Sequence, residues 1–159
     1  MNEQNYPGVT GVIRAPRLAR SLFPPRADEL STISDYTYYS IVFADAMPEL
    51  SALFENISMT EMHHFRLLGE LIDALGADPV INVRVHNSPL GLTEDEDSRA
   101  PVAAVRVVES MLRAEEAASR EYARLATLFG SDPAAVAILT RLSADEASHA
   151  RMLRRALRG

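Results

Sequence analysis

The strongest constraint on this chain is a pattern that it carries twice. Glu29 and Tyr36 stand seven positions apart, and so do Glu115 and Tyr122. Each pair precedes a Glu-x-x-His: Glu61-Met-His-His64 after the first, Glu146-Ala-Ser-His149 after the second. Glu146 follows Glu61 by 85 positions, and Glu115 follows Glu29 by 86. On a helix, residues three apart share a face, and seven residues make nearly two turns. The spacing predicts one carboxylate from each of two helices and a Glu-x-x-His from each of two others, all turned to one interior. A lone Glu-x-x-His would say little in a chain with four His and many Glu; its repetition in step with a second motif says much more.

Four carboxylates buried without counter-charge would be prohibitive. Two divalent cations supply the balance, and the imidazoles complete the coordination. Glu29, Glu61, His64, Glu115, Glu146 and His149 are therefore the expected metal ligands. Tyr36 and Tyr122 lie behind them, on the helix faces of Glu29 and Glu115. Oxygen and nitrogen donors of this kind suit two Fe or two Mn ions, and Zn also binds by affinity order. The chain has no cysteine, which removes thiolate sites, iron–sulfur centres and disulfides.

The hydrophobic pattern supplies the helices. Pro and Gly crowd residues 1–25, which read as an extended N-terminal arm with a turn of helix near Arg17–Leu22. Residues 26–158 read as an all-α, antiparallel four-helix bundle. Its helices are expected at about 26–46, 48–75, 99–129 and 132–157. Pro48, Pro101 and Pro133 fit helix first turns, Ser98 and Asp132 fit caps, and Gly76 and Gly130 fit stops. Residues 77–98 form a long crossover between the second and third helices. A strand-like alternation at Val80–Val85 within it has no partner strand.

The remaining features are less informative. The net charge of −6 makes a nucleic-acid partner unlikely on electrostatic grounds, and the basic run near the C-terminus (Arg151, Arg154, Arg155, Arg158) fits a helix end. No apolar stretch is long enough for a membrane span, and the absence of a signal segment suggests the cytoplasm. His63 is expected at solvent or a helix contact, and His86 in the crossover is not a ligand. Asp35, Glu55, Glu109 and Glu121 read as solvated faces. Glu116 competes with Glu115, and the offset to Tyr122 favours Glu115.

At these residues the chain resembles the ferritin-like di-metal carboxylate superfamily, which includes bacterioferritins, rubrerythrins and manganese catalases. The resemblance covers Asp28–Ser31 with Tyr36, Glu61–His64, Ala114–Ala118 through Tyr122, and Asp145–His149. The run Ile57–Leu75 is similar to small bacterial ferritin-like proteins akin to spore-coat manganese catalases. The resemblance implies a ferritin-like bundle in which Glu61 and Glu115 or Glu146 bridge or chelate and each His takes one metal. It implies that Asp145 accepts a hydrogen bond from a ligand His across the bundle. The position before Glu61 holds Thr60 instead of the common Asp, so the two metals need not be tuned alike. Met62 lies where bacterioferritin places its haem-ligating methionine, a residue also common in haem-free relatives. The implied activity is that of a di-iron or di-manganese oxidoreductase on peroxide or O2, of peroxidase or catalase type. The alternatives are a ferroxidase and iron-storage subunit taking ferrous iron, and a non-catalytic structural protein. A homodimer is expected.

Overall fold

A computed structural model describes residues 5–82 and 101–159. It is all-helical: α1 (Pro16–Ala19), a single 3-10 turn (Arg20–Leu22), α2 (Phe23–Phe43), α3 (Pro48–Ala74), α4 (Pro101–Leu128) and α5 (Pro133–Ala156). The last four form the bundle. α2 lies along α3 and α4 along α5, as two helical hairpins. The expected cap at Ser98, the ligand-free His86 and most of the expected crossover lie outside the described residues.

Local chemistry sets the ends of the helices. α2 begins at Phe23, three residues earlier than the sequence suggested, because Pro24 and Pro25 occupy its first turn. Those positions have no intrahelical acceptor for an N–H, so proline costs nothing there. α3 and α5 likewise begin on Pro48 and Pro133. Asp132 caps α5: its side chain accepts from the Ala134 and Ala135 N–H groups at 3.1 and 3.0 Å. α3 closes on Gly76 at φ +91°, a left-handed conformation that costs a glycine little. Ala77 N–H then bonds Ile72 O and Gly76 N–H bonds Asp73 O, which satisfies two of the last carbonyls.

Two apolar clusters hold the bundle. One joins Leu68, Leu71 and Ile72 of α3 and Leu75 just after it to Leu125 of α4 and Ile138, Leu139 and Leu142 of α5, together with Leu22 and Phe129. The other joins Tyr39 and Phe43 of α2 to Phe54 and Ile57 of α3, Val107, Val108 and Met111 of α4 and Leu153 of α5. Full burial of each such side chain is worth about 1.5–3 kcal/mol. Residues Glu29, Glu61, His64, Glu115, Glu146 and His149 are buried between the two clusters.

The N-terminal segment packs onto this bundle. Ala15 N–H bonds Leu75 O at 2.9 Å, and Ile13 N–H bonds the Asp132 carboxylate at 2.7 Å. Tyr6, Val9, Val12 and Leu18 pack against the first cluster.

Candidate metal centre

Each of the four bundle helices delivers acid to the middle layer. α2 brings Glu29, α3 brings Glu61 and His64, α4 brings Glu115, and α5 brings Glu146 and His149. Their potential ligand atoms form two groups of four, Glu29–Glu61–His64–Glu146 and Glu61–Glu115–Glu146–His149, with the atoms of each group within 4.8 Å of one another. Glu61 and Glu146 belong to both. Glu116, the rival of Glu115, instead pairs at the surface with Arg154.

The oxygens converge on the imidazole nitrogens in a way that hydrogen bonding alone does not satisfy. His64 Nδ1 lies 2.9 Å from carboxylate oxygens of both Glu61 and Glu146, and 3.8 Å from Glu29. His149 Nδ1 lies 2.9 Å from Glu61, 3.1 Å from Glu146 and 3.4 Å from Glu115. One ring nitrogen has one in-plane site and cannot serve two or three oxygens well. Accordingly Glu61 Oε1 and Glu146 Oε1 are buried with no donor aligned on them. Orphaned oxygens turned toward imidazole nitrogens at one point are what a cation site requires, so the residues present fit a pair of divalent ions.

The ionisation pattern divides the four carboxyl groups into two kinds. Burial, with Glu61 and Glu146 nearby, pushes the Glu29 carboxyl well above the usual range, and burial with the Glu146 contact does the same to Glu115. Burial also acts to raise Glu61 and Glu146. There, hydrogen bonding wins and holds both below the usual range: to His149 and His64 for Glu61, and to Glu115 and the two imidazoles for Glu146. Burial acts to lower both imidazoles, but the surrounding carboxylates raise His64 well above its ordinary value and His149 to about 12. Without metal, protons are thus favoured on Glu29, Glu115 and the two imidazoles and disfavoured on Glu61 and Glu146.

The two tyrosines cross between hairpins. Tyr36 on α2 donates to Glu115 on α4, and Tyr122 on α4 donates to Glu29 on α2. Each thus holds the carboxylate of the opposite helix. Burial and the adjacent carboxylate push both phenols well above their ordinary value, so both remain donors. Behind His64, Nε2 lies 3.3 Å from Asp145 Oδ2, and Arg141 Nε holds Asp145 Oδ1 at 3.0 Å.

A cavity of about 540 Å³ lies between α2 and α4 and reaches Glu29, Glu61, Glu115 and Glu146. Ser31 and Thr32 on one wall and Ala114, Ala117 and Ala118 on the other are too short to fill the gap. Both Asp35 and Glu121 line this cavity. Asp35 is half-buried, which corrects its expected place on a solvated face, because the gap between α2 and α4 draws that side of α2 inward. Glu121 keeps its exposed pairing with Arg124, as expected of a solvated face. Burial pushes the Asp35 carboxyl up, while the Arg124 guanidinium holds Glu121 down.

Sequence reasoning missed Tyr6 and Arg141. Arg141 stands four residues before Asp145, a helical ion-pair spacing that would have flagged it. Tyr6 carries no such signal, because its partners are far away in the chain.

A family model for the ferritin-like domain matches residues 26–159. The chain belongs to the ferritin-like family. A search of curated proteins finds no match. Ferritin-like membership and the buried Glu/His cluster are compatible with a di-metal site. No helix among the described residues is long and apolar enough to cross a membrane.

Proposed function

We propose that this ferritin-like chain is a di-iron or di-manganese oxidoreductase acting on peroxide or O2. One observation carries the reading: two overlapping four-residue groups share Glu61 and Glu146, and a cavity leads to them from the α2–α4 side. In this reading Glu61 and Glu146, which belong to both groups, would help to hold both metals. Glu29 and His64 serve one, and Glu115 and His149 the other. The bound pair would supply two-electron exchange with peroxide or O2.

The chain's own residues do the rest. The apolar clusters on either side keep water from the ends of the layer. Tyr122 and Tyr36 fix Glu29 and Glu115, the carboxylates that α2 and α4 bring to the cavity's inner end. The space between α2 and α4 admits a small reactant and confines it against Glu29 and Glu115. A homodimer in the cytoplasm belongs to the same reading.

A second reading, a ferroxidase and iron-storage subunit, is favoured by the acidic cavity wall. Asp28, Asp35 and Glu121 add negative charge along the route to the layer, which suits ferrous iron as the incoming species.

Metal analysis of protein purified from its native host, followed by a peroxide assay, tests the proposal. Two iron or manganese ions per chain are expected. Oxygen evolved from peroxide alone marks a catalase, and turnover only with an added donor marks a peroxidase. A large cage on size exclusion, loading far more than two irons per chain, supports storage instead. Protein that binds neither metal overturns both readings.

A further inference from the structure

The two halves of the centre repeat each other in sequence but are backed differently. Asp145, just before Glu146, stands 3.3 Å from His64 Nε2. The equivalent position before Glu61 is Thr60, whose hydroxyl turns back to Asn56 O at 3.4 Å. Among the described residues, no carboxylate is recorded behind His149 as Asp145 is behind His64.

The N-terminal segment reinforces only the His64 half. Tyr6 hydrogen-bonds Asp145. Its ring stacks on His63 at 5.9 Å between centroids and meets the His64 ring edge-on at 6.1 Å. The Arg141 guanidinium, which also holds Asp145, covers the same ring at 4.4 Å. The segment is pinned further along by the Ala15 and Ile13 hydrogen bonds to Leu75 and Asp132. Tyr6 therefore closes a ring of contacts around Asp145 and one edge of His64. It reaches from the N-terminal segment to α3 and α5 and is not part of the α2–α4 cavity lining.

We propose that Tyr6 is a positioning residue for one metal position: with Arg141 it orients Asp145, Asp145 orients His64, and the His64 position binds a divalent ion more tightly than the His149 position. A partner behind a ligand imidazole fixes its tautomer and ring angle, and its loss typically weakens metal affinity about 10–100-fold. Tyr6 acts one contact further out, so about threefold to tenfold is expected from its hydroxyl. The inference rests on the reading of His64 and His149 as ligands.

The test is a titration of the full-length metal-free chain with Co²⁺, followed by calorimetry and by visible absorption. The wild-type chain should bind two ions with unequal affinity. Tyr6→Phe keeps the ring stack and removes the hydroxyl. It should weaken the tighter site about threefold to tenfold, change the spectrum of that site alone and leave the weaker one unmoved. In a His64→Ala background the same substitution should change nothing further, whereas in a His149→Ala background its full effect should persist. In the metal-free chain, the His64 ring N–H should exchange faster with water in Tyr6→Phe, seen by nitrogen-detected resonance, with the His149 ring unaffected. Equal weakening of both sites, or of neither, overturns the role of Tyr6 while leaving the di-metal reading intact. Failure of the wild-type chain to bind Co²⁺ overturns that reading and this inference together.

Discussion

The middle layer of the bundle is as thoroughly buried as the layers on either side of it. His64 is as inaccessible as Leu68 or Phe54, yet the two kinds of layer contribute oppositely. Leu68, Leu71, Leu139 and Phe54 stabilise the fold by leaving water. Glu29, Glu61, Glu115 and Glu146 must be neutralised by protons, imidazolium or metal before they can leave it. The apolar layers therefore hold in place a layer that would not assemble for its own sake.

The largest effect should appear where the layer exchanges its charge. In the metal-free chain the folded-state pKa values of Glu29, Glu115, His64 and His149 are raised, so each of these groups favours a proton that a metal must displace. A metal requires all four groups deprotonated, so binding expels protons and apparent affinity must rise with pH. Each proton released should add about 1.4 kcal/mol per pH unit to the joint binding free energy of two ions. Calorimetry in buffers of different ionisation enthalpy counts the protons released. A release near zero would mean that the layer is not the metal site.

Next in size is a cut in an apolar layer. Phe54→Ala should cost about 3–5 kcal/mol with or without metal. Thermal melts should show its midpoint falling by roughly ten degrees for a chain of this size. Replacing all six ionisable side chains of the middle layer with apolar residues of similar volume should do the reverse. Metal binding should vanish while the metal-free chain gains about 1–4 kcal/mol. A loss of stability on that replacement would show that the layer contributes to folding in its own right.

The smallest effect distinguishes the two hairpins. Tyr36→Phe and Tyr122→Phe each remove one donor to a carboxyl group across the bundle, at about 1–3 kcal/mol apiece. Chemical denaturation of the two variants should give nearly equal losses. A large difference would mean that the two cross-bundle contacts, equivalent in sequence, are not equivalent in strength.

Much of this architecture can be read in one dimension. Helix periodicity, the prolines at 48 and 133, the cap at Asp132 and the stop at Gly76 are local signals, each acting within a turn or two of chain. The inward set of four Glu and two His also follows from spacing, because residues on one face of a helix must share a neighbour. What lies between helices does not follow. The spacing puts Tyr36 on the face of Glu29, but only the packing of α2 beside α4 passes its hydroxyl to Glu115. Helix patterning could not show that short side chains would leave a cavity bordered by Asp35 and Glu121.

Nor could anything near Tyr6 announce that a proline- and glycine-rich leader lies against the bundle with its tyrosine at Asp145. Hydrogen bonds and apolar spacing within a helix are set by neighbours a few residues away, so the chain carries them in its order. Contacts between helices depend on how surfaces of particular volume meet, and those surfaces exist only once the chain has folded.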